Sequence, residues 1–525
     1  EQSLNPIQVV ALSATLANLE NTKRFLFGPD TAVDLILVPG QRTIDAKILD
    51  TRDPRSFVKL IQKLMEHPTK LLVFADSRQQ CETLAGLLQS EPLPCTVYTH
   101  YSSLSPEVRS HVEHDFASSA FAVCIATSTL ELGIDIGDID AVVLWGAPNS
   151  VESLLQRIGR GNRRMQKSSV VACISEPPLI PEALKFMALI EAGRSGDLPH
   201  TAPYDLFGSV VQQILSVVGS KGAHYTRIAD LVKVADHLPY INRELIDEIA
   251  LGLTESEHLI AHPYKNQLGP GPEVYNLIDY RLIYGNFPLS AAEITIRYEN
   301  RILGSIPAIN LRIVKPHDVI RFAHGSWTIQ KVGQDGIRVI PNKNPAPTKQ
   351  LRFGFGKSHM TTFLVDYIGR MVYADEIIFA TLSKPIRSQV LGALTGLRAK
   401  TCRTEIPYTR QDNRFSYLTF AGLQVNQAVA LTSGVDVLEV NDYTLVTNSE
   451  IAWSKISADP AAYDAERICP QSMSSSIFQE MLPPDFKIRE ACEPWLKDAS
   501  VAAALRRLAD ARTVEVDDDD IRMFF

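Results

Sequence analysis

A chain of 525 residues with 45% hydrophobic and 21% charged residues has the composition of ordinary globular protein and length for about three or four domains. Its formal net charge of −8 excludes an overall basic coat for nucleic acid but leaves room for a local basic channel, because the local field sets the contact. No apolar run approaches the roughly 18 residues that cross a bilayer, and seven scattered cysteines without a CxxC pair exclude an obvious zinc site and fit a reduced, cytoplasmic protein without a membrane partner.

In chain order, "VVAL" within residues 1–30 reads as a buried strand, followed by the "SAT" turn and an amphipathic helix. A parallel strand so early, after Glu1 and not methionine, implies a sheet whose first part lies upstream. Residues 31–56 read as a connector, with a turn at Pro39-Gly40 and a strand at "TIDAKIL". Over residues 57–199 strands alternate with helices: "TKLLVFADS", "CTVYTH", "AFAVCIATS", "IDAVVLWG" and "SSVVACIS" as strands, with "RQQCETLAGLLQS", "SPEVRSHVEHDF" and "VESLLQRIGR" between them as helices. That alternation predicts a parallel sheet covered by helices on both faces, with ligands at the carboxyl ends of the strands. The stretches "ADSR", "THYSS", "ATSTLELGID" and "GAPNS" fall at those ends.

Residues 200–284 read as three helices and a polar-apolar tail, a pattern that fits a winged helix or a plain helical connector. Residues 285–450 are β-rich, with hairpin turns at "HGS" and "QDG". Residues 451–525 read as a helical extension ending in the acidic run Asp517–Asp520. That run fits a solvated tail better than a divalent-cation site, since nothing beside it supplies further ligands.

The segment "SVESLLQRIGRGNRR" at 150–164 carries Arg157, Arg160, Arg163 and Arg164 beside Gly159 and Gly161. Such crowding makes either a solvated basic helix end or a surface for polyphosphate, which guanidinium groups grip bidentately. Asn149 and Glu152 form a capping pair. The helical register then puts Gln156, Arg160 and Arg163 on one face and Arg157 about a quarter turn away. Two cations on one face suit the charge that builds on a transferring γ-phosphoryl group. Thr127 and Ser128 follow a strand, and Gly133 lets a nucleotide approach while Asp135 is placed to accept from ribose hydroxyls.

Four stretches in order, "LSATLAN" (12–18), "LLVFADSRQQ" (71–80), "ATSTLELGIDIGDIDAVV" (126–143) and "QRIGRGNRR" (156–164), resemble motifs III to VI of superfamily 2 helicases. "THYSSLSPEVRSHVEHDF" and "GAPNSVESLLQRIGRGNRR" look like the Lhr (large helicase-related) group, and "DLFGSVVQQILSVV", "GSWTIQKV" and "YLTFAGLQVNQAVALTSG" extend the likeness to about residue 450. Lhr proteins usually carry histidine where Arg163 stands.

The resemblance implies a multidomain α/β chain: the end of a first RecA-like motor lobe (1–30), a second RecA-like lobe (57–199), a winged-helix domain (200–284), a β-rich, barrel-like domain (285–450) and the helical extension. It implies that Ser13, Ala14 and Thr15 couple nucleotide state to strand movement, and that Gly133 and Asp135 contact ATP. Gln156, Arg160 and Arg163 would face the ATP cleft, with the arginines as fingers, while Ser77, Arg78, Thr127 and Ser128 lie near the nucleic-acid backbone. The implied cofactors are ATP and Mg2+, and the implied partner is single-stranded or forked nucleic acid, DNA favoured, tracked 3′ to 5′ in repair or defence. An ATP-inert nucleic-acid clamp and one subunit of a split helicase are the rival readings.

Hydrolysis also needs GxxxxGK[ST] and DExx, expected on an upstream segment or partner chain, so this chain alone is expected to be inactive. Gly356-Lys357-Ser358 is a decoy, because Leu351 stands where the motif needs glycine. Trp327 reads as core filling or a base-stacking platform, Trp145 as packing under the sheet, and His100 as a minor candidate. Lys221, His224 and Arg227 read equally as phosphate contacts or solvated surface.

Overall fold

Runs such as "LLVFA", "AVCIA" and "AVVLW" are apolar at every position, which suits strands buried on both faces. The computed structural model describes residues 8–13, 18–27, 32–36, 43–67, 69–131, 136–161, 167–199, 205–220, 224–235, 241–279, 282–284, 293–299, 301–307, 314–323, 325–333, 336–342, 360–469 and 476–524. Within it, α1 (Leu19–Phe27) precedes β1 (Thr43–Asp50), α2 (Pro54–Leu64), β2 (Lys70–Ala75), α3 (Arg78–Gln89) and β3 (Thr96–His100). Then come α4 (Pro106–Ser118), β4 (Ala122–Ala126), β5 (Ala141–Trp145), α5 (Val151–Ile158), β6 (Lys167–Ile174) and α6 (Leu179–Ser195). The six strands form one parallel sheet in the order β1-β6-β5-β2-β4-β3. Alternation divides the side chains: Leu72, Phe74, Cys124 and Leu144 enter one core, and Leu71, Val73, Ile125 and Val143 the other.

Serine and aspartate caps turn strand into helix. Asp53, Ser77, Ser105 and Ser150 accept from backbone N–H groups at the starts of α2, α3, α4 and α5. The cap of α5 is thus Ser150, one residue later than the Asn149 expected from sequence, and Asn149 instead accepts from Lys185 Nζ at 3.1 Å. The strand expected at "VVAL" is also not formed. Val9, Val10 and Leu12 are 66%, 69% and 93% exposed, since an apolar run becomes a strand only where neighbours pair with it and cover it. "TIDAKIL" does form a strand, and it extends the edge of the parallel sheet as β1.

After α6 come α7 (Phe207–Ser220), β7 (Thr226–Arg227), α8 (Ile228–Ala235), α9 (Arg243–Glu255), β8 (Leu259–Ala261), β9 (Gln267–Pro270) and α10 (Pro272–Asp279). The three strands form a small antiparallel sheet, and the core of this region is completed by Phe478, Leu482 and Phe486 from far along the chain.

The β-rich stretch is divided between two sheets. The first joins β10 (Glu293–Tyr298), β11 (Arg301–Pro307), β12 (Val319–Phe322), β13 (Gly325–Gly333) and β14 (Gly336–Pro341) in the order β11-β10-β14-β13-β12. Its inner face, with Ile296, Ile320, Ile329 and Val339, shares a core with α2, α3 and the parallel sheet. Two helices, α11 (Thr362–Val372) and α12 (Lys384–Lys400), then pack on the opposite side of the parallel sheet. The second sheet uses β15 (Glu405–Gln411), β16 (Arg414–Leu418), β17 (Val437–Val440), β18 (Thr444–Thr447) and β19 (Arg512–Glu515). The extension expected to be helical therefore contributes a strand, paired in parallel with β15 where Pro407 and Tyr408 meet Val514 and Glu515.

Two tryptophans pack. Trp145 meets Phe57 edge-on at 4.6 Å, and Trp327 donates Nε1–H to Phe322 O at 2.7 Å with its ring 5.3 Å from Tyr298. Asp517 and Asp520 at the acidic end both pair with Lys400.

Candidate functional site

The carboxyl ends of the parallel strands converge on one edge. Beyond β2, Asp76 precedes Ser77, whose hydroxyl is occupied in capping α3 by accepting from Gln80 N at 3.1 Å. Arg78 reaches across to Ser102, beyond β3, with Nη2 donating to Oγ at 2.9 Å. Beyond β4, Thr127 N donates to His100 O at 3.2 Å, and Ser128 O accepts from Glu131 N at 2.9 Å, which closes a tight turn. Beyond β5, Gly146 has φ +88, and a Cβ there would lie 3.0 Å from Asp76 Oδ2, so this close approach requires glycine.

Helix α5 and the turn that follows it deliver two guanidinium groups to this edge. Arg157 lies on the apolar side of the helix with Leu154 and Ile158, and its side chain is 7% exposed. Nε donates to Glu131 Oε1 at 2.7 Å, Nη1 donates to Asp76 Oδ1 at 3.1 Å, and the guanidinium stands 5.5 Å from the centre of the Phe74 ring. Ser153 Oγ also donates to Glu131 Oε1 at 3.0 Å. Arg160, also buried, donates from Nη2 to Glu131 O at 2.6 Å. One glutamate therefore receives Arg157 on its side chain and Arg160 on its backbone. Burial of the Arg157 charge is tolerated because it is paired with two carboxylates and hydrogen-bonded to both.

His100, at the end of β3, is 1% exposed, with Nδ1 2.8 Å from Thr129 Oγ1 and Nε2 2.9 Å from Glu113 Oε1. Burial pushes its imidazole below the ordinary value of 6.5, and Glu113 pulls it back up. Glu182 accepts from Ala147 N at 2.7 Å beside the end of β5, and burial raises its carboxyl above the usual range.

Of the residues singled out from sequence, Ser77, Arg78, Thr127, Ser128 and Arg160 stand at this edge. Gln156 is exposed on α5, Ser13 is exposed ahead of α1, and Arg227 pairs on the surface with Asp230. Ala14, Thr15, Gly133, Asp135, Arg163, Lys221 and the decoy Gly356-Lys357-Ser358 lie outside the described residues. Sequence reasoning missed Asp76 and Glu131 and set Arg157 aside. A usable signal was present, because an arginine on the apolar line of an amphipathic helix demands a buried carboxylate, and "ADSR" and "TLELG" each offer one.

Guanidinium groups at this edge fit a polyphosphate. Among the described residues, no group of three or more His, Cys, Asp or Glu side chains is arranged to hold a metal ion.

Residues 55–165 match the family described as helicase conserved C-terminal domain. The chain is 35% identical over 170 residues to the ATP-dependent helicase Lhr-Core of Methanocaldococcus jannaschii, which covers 30% of this chain and 20% of that protein. It is 24% identical over 456 residues to the ATP-dependent helicase Lhr-Core protein 2 of Thermococcus barophilus, covering 80% of this chain and 51% of that one. It spans between a fifth and about half of the length of these relatives. Among solved structures, the Mycobacterium smegmatis helicase Lhr bound to ssDNA and AMP-PNP shares the fold, with a TM-score of 0.65 at 18% identity over 96% of this chain and 73% of that one.

Proposed function

We propose that this chain, whose residues 55–165 match the helicase conserved C-terminal domain, is part of an Lhr-like superfamily 2 helicase and forms the second-lobe wall of an ATP site that drives movement along single-stranded nucleic acid. The observation that carries this reading is the buried convergence of Arg157 and Arg160 on Glu131 at the strand ends. Arg157, neutralised by Glu131 and Asp76, ties the turn after β4 to α5 and keeps their spacing fixed. Arg160, buried at this edge with Nη2 donating to Glu131 O, is the finger that turns towards the γ-phosphate, whose developing charge calls for a guanidinium donor. Gln156 and Arg163 complete that face of the cleft, and Gly133 and Asp135 contact the nucleotide.

When bound, ATP supplies the phosphoryl group whose transfer to water powers the cycle. Its phosphate loop and magnesium carboxylate belong to a first motor lobe, with which Ser13, Ala14 and Thr15 communicate. Ser77, Arg78, Thr127 and Ser128 follow the strand backbone, tracked 3′ to 5′ with DNA preferred. Residues 200–284 act as a winged-helix unit, and residues 285–450 as the β-rich, barrel-like domain.

Steady-state ATP hydrolysis with single-stranded DNA tests this reading, on this chain and on a longer form that adds the first lobe. Turnover in the longer form should fall by roughly 10³-fold or more in Arg160→Ala, the scale of a lost arginine finger, while strand binding is kept. Unchanged turnover in that variant would remove Arg160 from the site. Tight strand binding without turnover in either form favours an inert clamp.

A further inference from the structure

The outer face of the sheet formed by residues 293–342 carries an arrangement that the strand-end site does not use. Arg297 on β10 pairs in register with Arg338 on β14, and Arg338 pairs in register with Lys331 on β13. Three exposed cations thus stand abreast on adjacent strands, about 4.8 Å apart from one strand to the next. Like charges directly opposite across strands repel one another and lower stability. Among the described residues, no carboxylate is ion-paired to any of the three. The contrast with the chain as a whole is sharp, since its net charge is −8.

The row has apolar ends. Ile302 on β11 lies opposite Arg297 and is 42% exposed, and Ile340, two residues beyond Arg338 on β14, is 43% exposed. The inner face of the same sheet is buried against α3 and the parallel sheet, so the outer face is held on a rigid base. Ser305 N donates to Ser103 O at 2.6 Å, Ser105 N donates to Leu303 O at 3.0 Å, and Ala323 N donates to Tyr101 OH at 3.2 Å across that junction.

We propose that Arg297, Lys331 and Arg338 form a second nucleic-acid contact, outside the strand-end channel, that binds backbone phosphates while Ile302 and Ile340 meet the sugars or bases. This inference rests on the nucleic-acid reading above and adds a surface to it. A phosphodiester backbone suits the row because it offers repeated negative charge along a line, matching a line of regularly spaced cations. Its charge relieves the repulsion built into the sheet, and binding releases counterions. The face holds the strand after or before it passes the motor, so the two contacts act on one molecule of nucleic acid.

Fluorescence anisotropy of a dye-labelled oligothymidylate, titrated with this chain across a salt series, tests the proposal. The variant combining Arg297→Gln, Lys331→Gln and Arg338→Gln should bind about tenfold more weakly or worse. Its slope of log affinity against log salt should be shallower by about 2, since each phosphate contact on a single strand contributes roughly 0.7. The variant should melt no lower than the wild type, because it loses only repulsion.

An unchanged slope in a variant that still binds overturns the proposal and leaves the strand-end reading intact. Arg78→Gln, measured in the same assay, reports separately on the strand-end contact. No binding by the wild-type chain even at low salt overturns the proposed surface and the strand-end contact together. Competition by polyglutamate as effective as by unlabelled oligothymidylate would assign the row to an acidic protein partner, which also overturns it.

Discussion

The parallel sheet and the sheet of residues 293–342 share a hydrophobic core yet treat charge in opposite ways. In the parallel sheet the central strands β2, β4 and β5 are buried on both faces, so their charge is confined to the strand ends, where Arg157 lies between Glu131 and Asp76. Such a site is costly to leave half-paired, and its charges come neutralised and fixed in place. The sheet of residues 293–342 has one wet face, and there Arg297, Lys331 and Arg338 stand in water without paired carboxylates among the described residues. Burial forces pairing, whereas exposure permits an unpaired surplus. A surplus is free to meet a mobile polyanion. A buried pair is suited to holding one geometry through a chemical cycle.

This contrast breaks most readily at Arg157. Arg157→Met should destabilise the chain by about 3 kcal/mol, because it strands the buried Glu131 carboxylate, and denaturant unfolding measures it. A loss below about 1 kcal/mol would place the pair with exposed salt bridges and end the distinction. The joint between the sheets is next. Gly304 has φ +156, and a Cβ there would lie 2.0 Å from Ser103 O, so Gly304→Ala should cost about 1–3 kcal/mol. Hydrogen exchange should then quicken across residues 293–342 more than in β2 or β5, and uniform protection would show that the joint bears no strain.

The smallest effect is titration at the strand ends. Burial holds the folded His100 below 6.5, so the unfolded state binds the proton more readily. Stability contributed by neutral His100 is present above 6.5 and declines as pH falls towards the folded value. Melting temperature should drop over that window, and His100→Gln should flatten that part of the profile. An equal drop in the variant would assign the effect to other groups.

The alternation of apolar strands with capped helices was legible before any coordinates, because period and capping are local properties written residue by residue. So was the crowding of arginines after α5. The run at "VVAL" forms no strand among the described residues, because an apolar run needs partner strands to pair with and cover it. The cap at Ser150 in place of Asn149 is a shift of one residue, the usual uncertainty of a helix end.

Sequence by itself therefore determined the α/β class, the order of elements and the chemistry available at the strand ends. Only the tertiary structure decided which charges meet. Glu131 joins Arg157 across 26 residues and Asp76 joins it across 81, and no local spacing encodes those separations. Tertiary structure alone also aligned Arg297, Lys331 and Arg338, because register between strands is set by how the inner apolar faces pack, and the outer row follows from it.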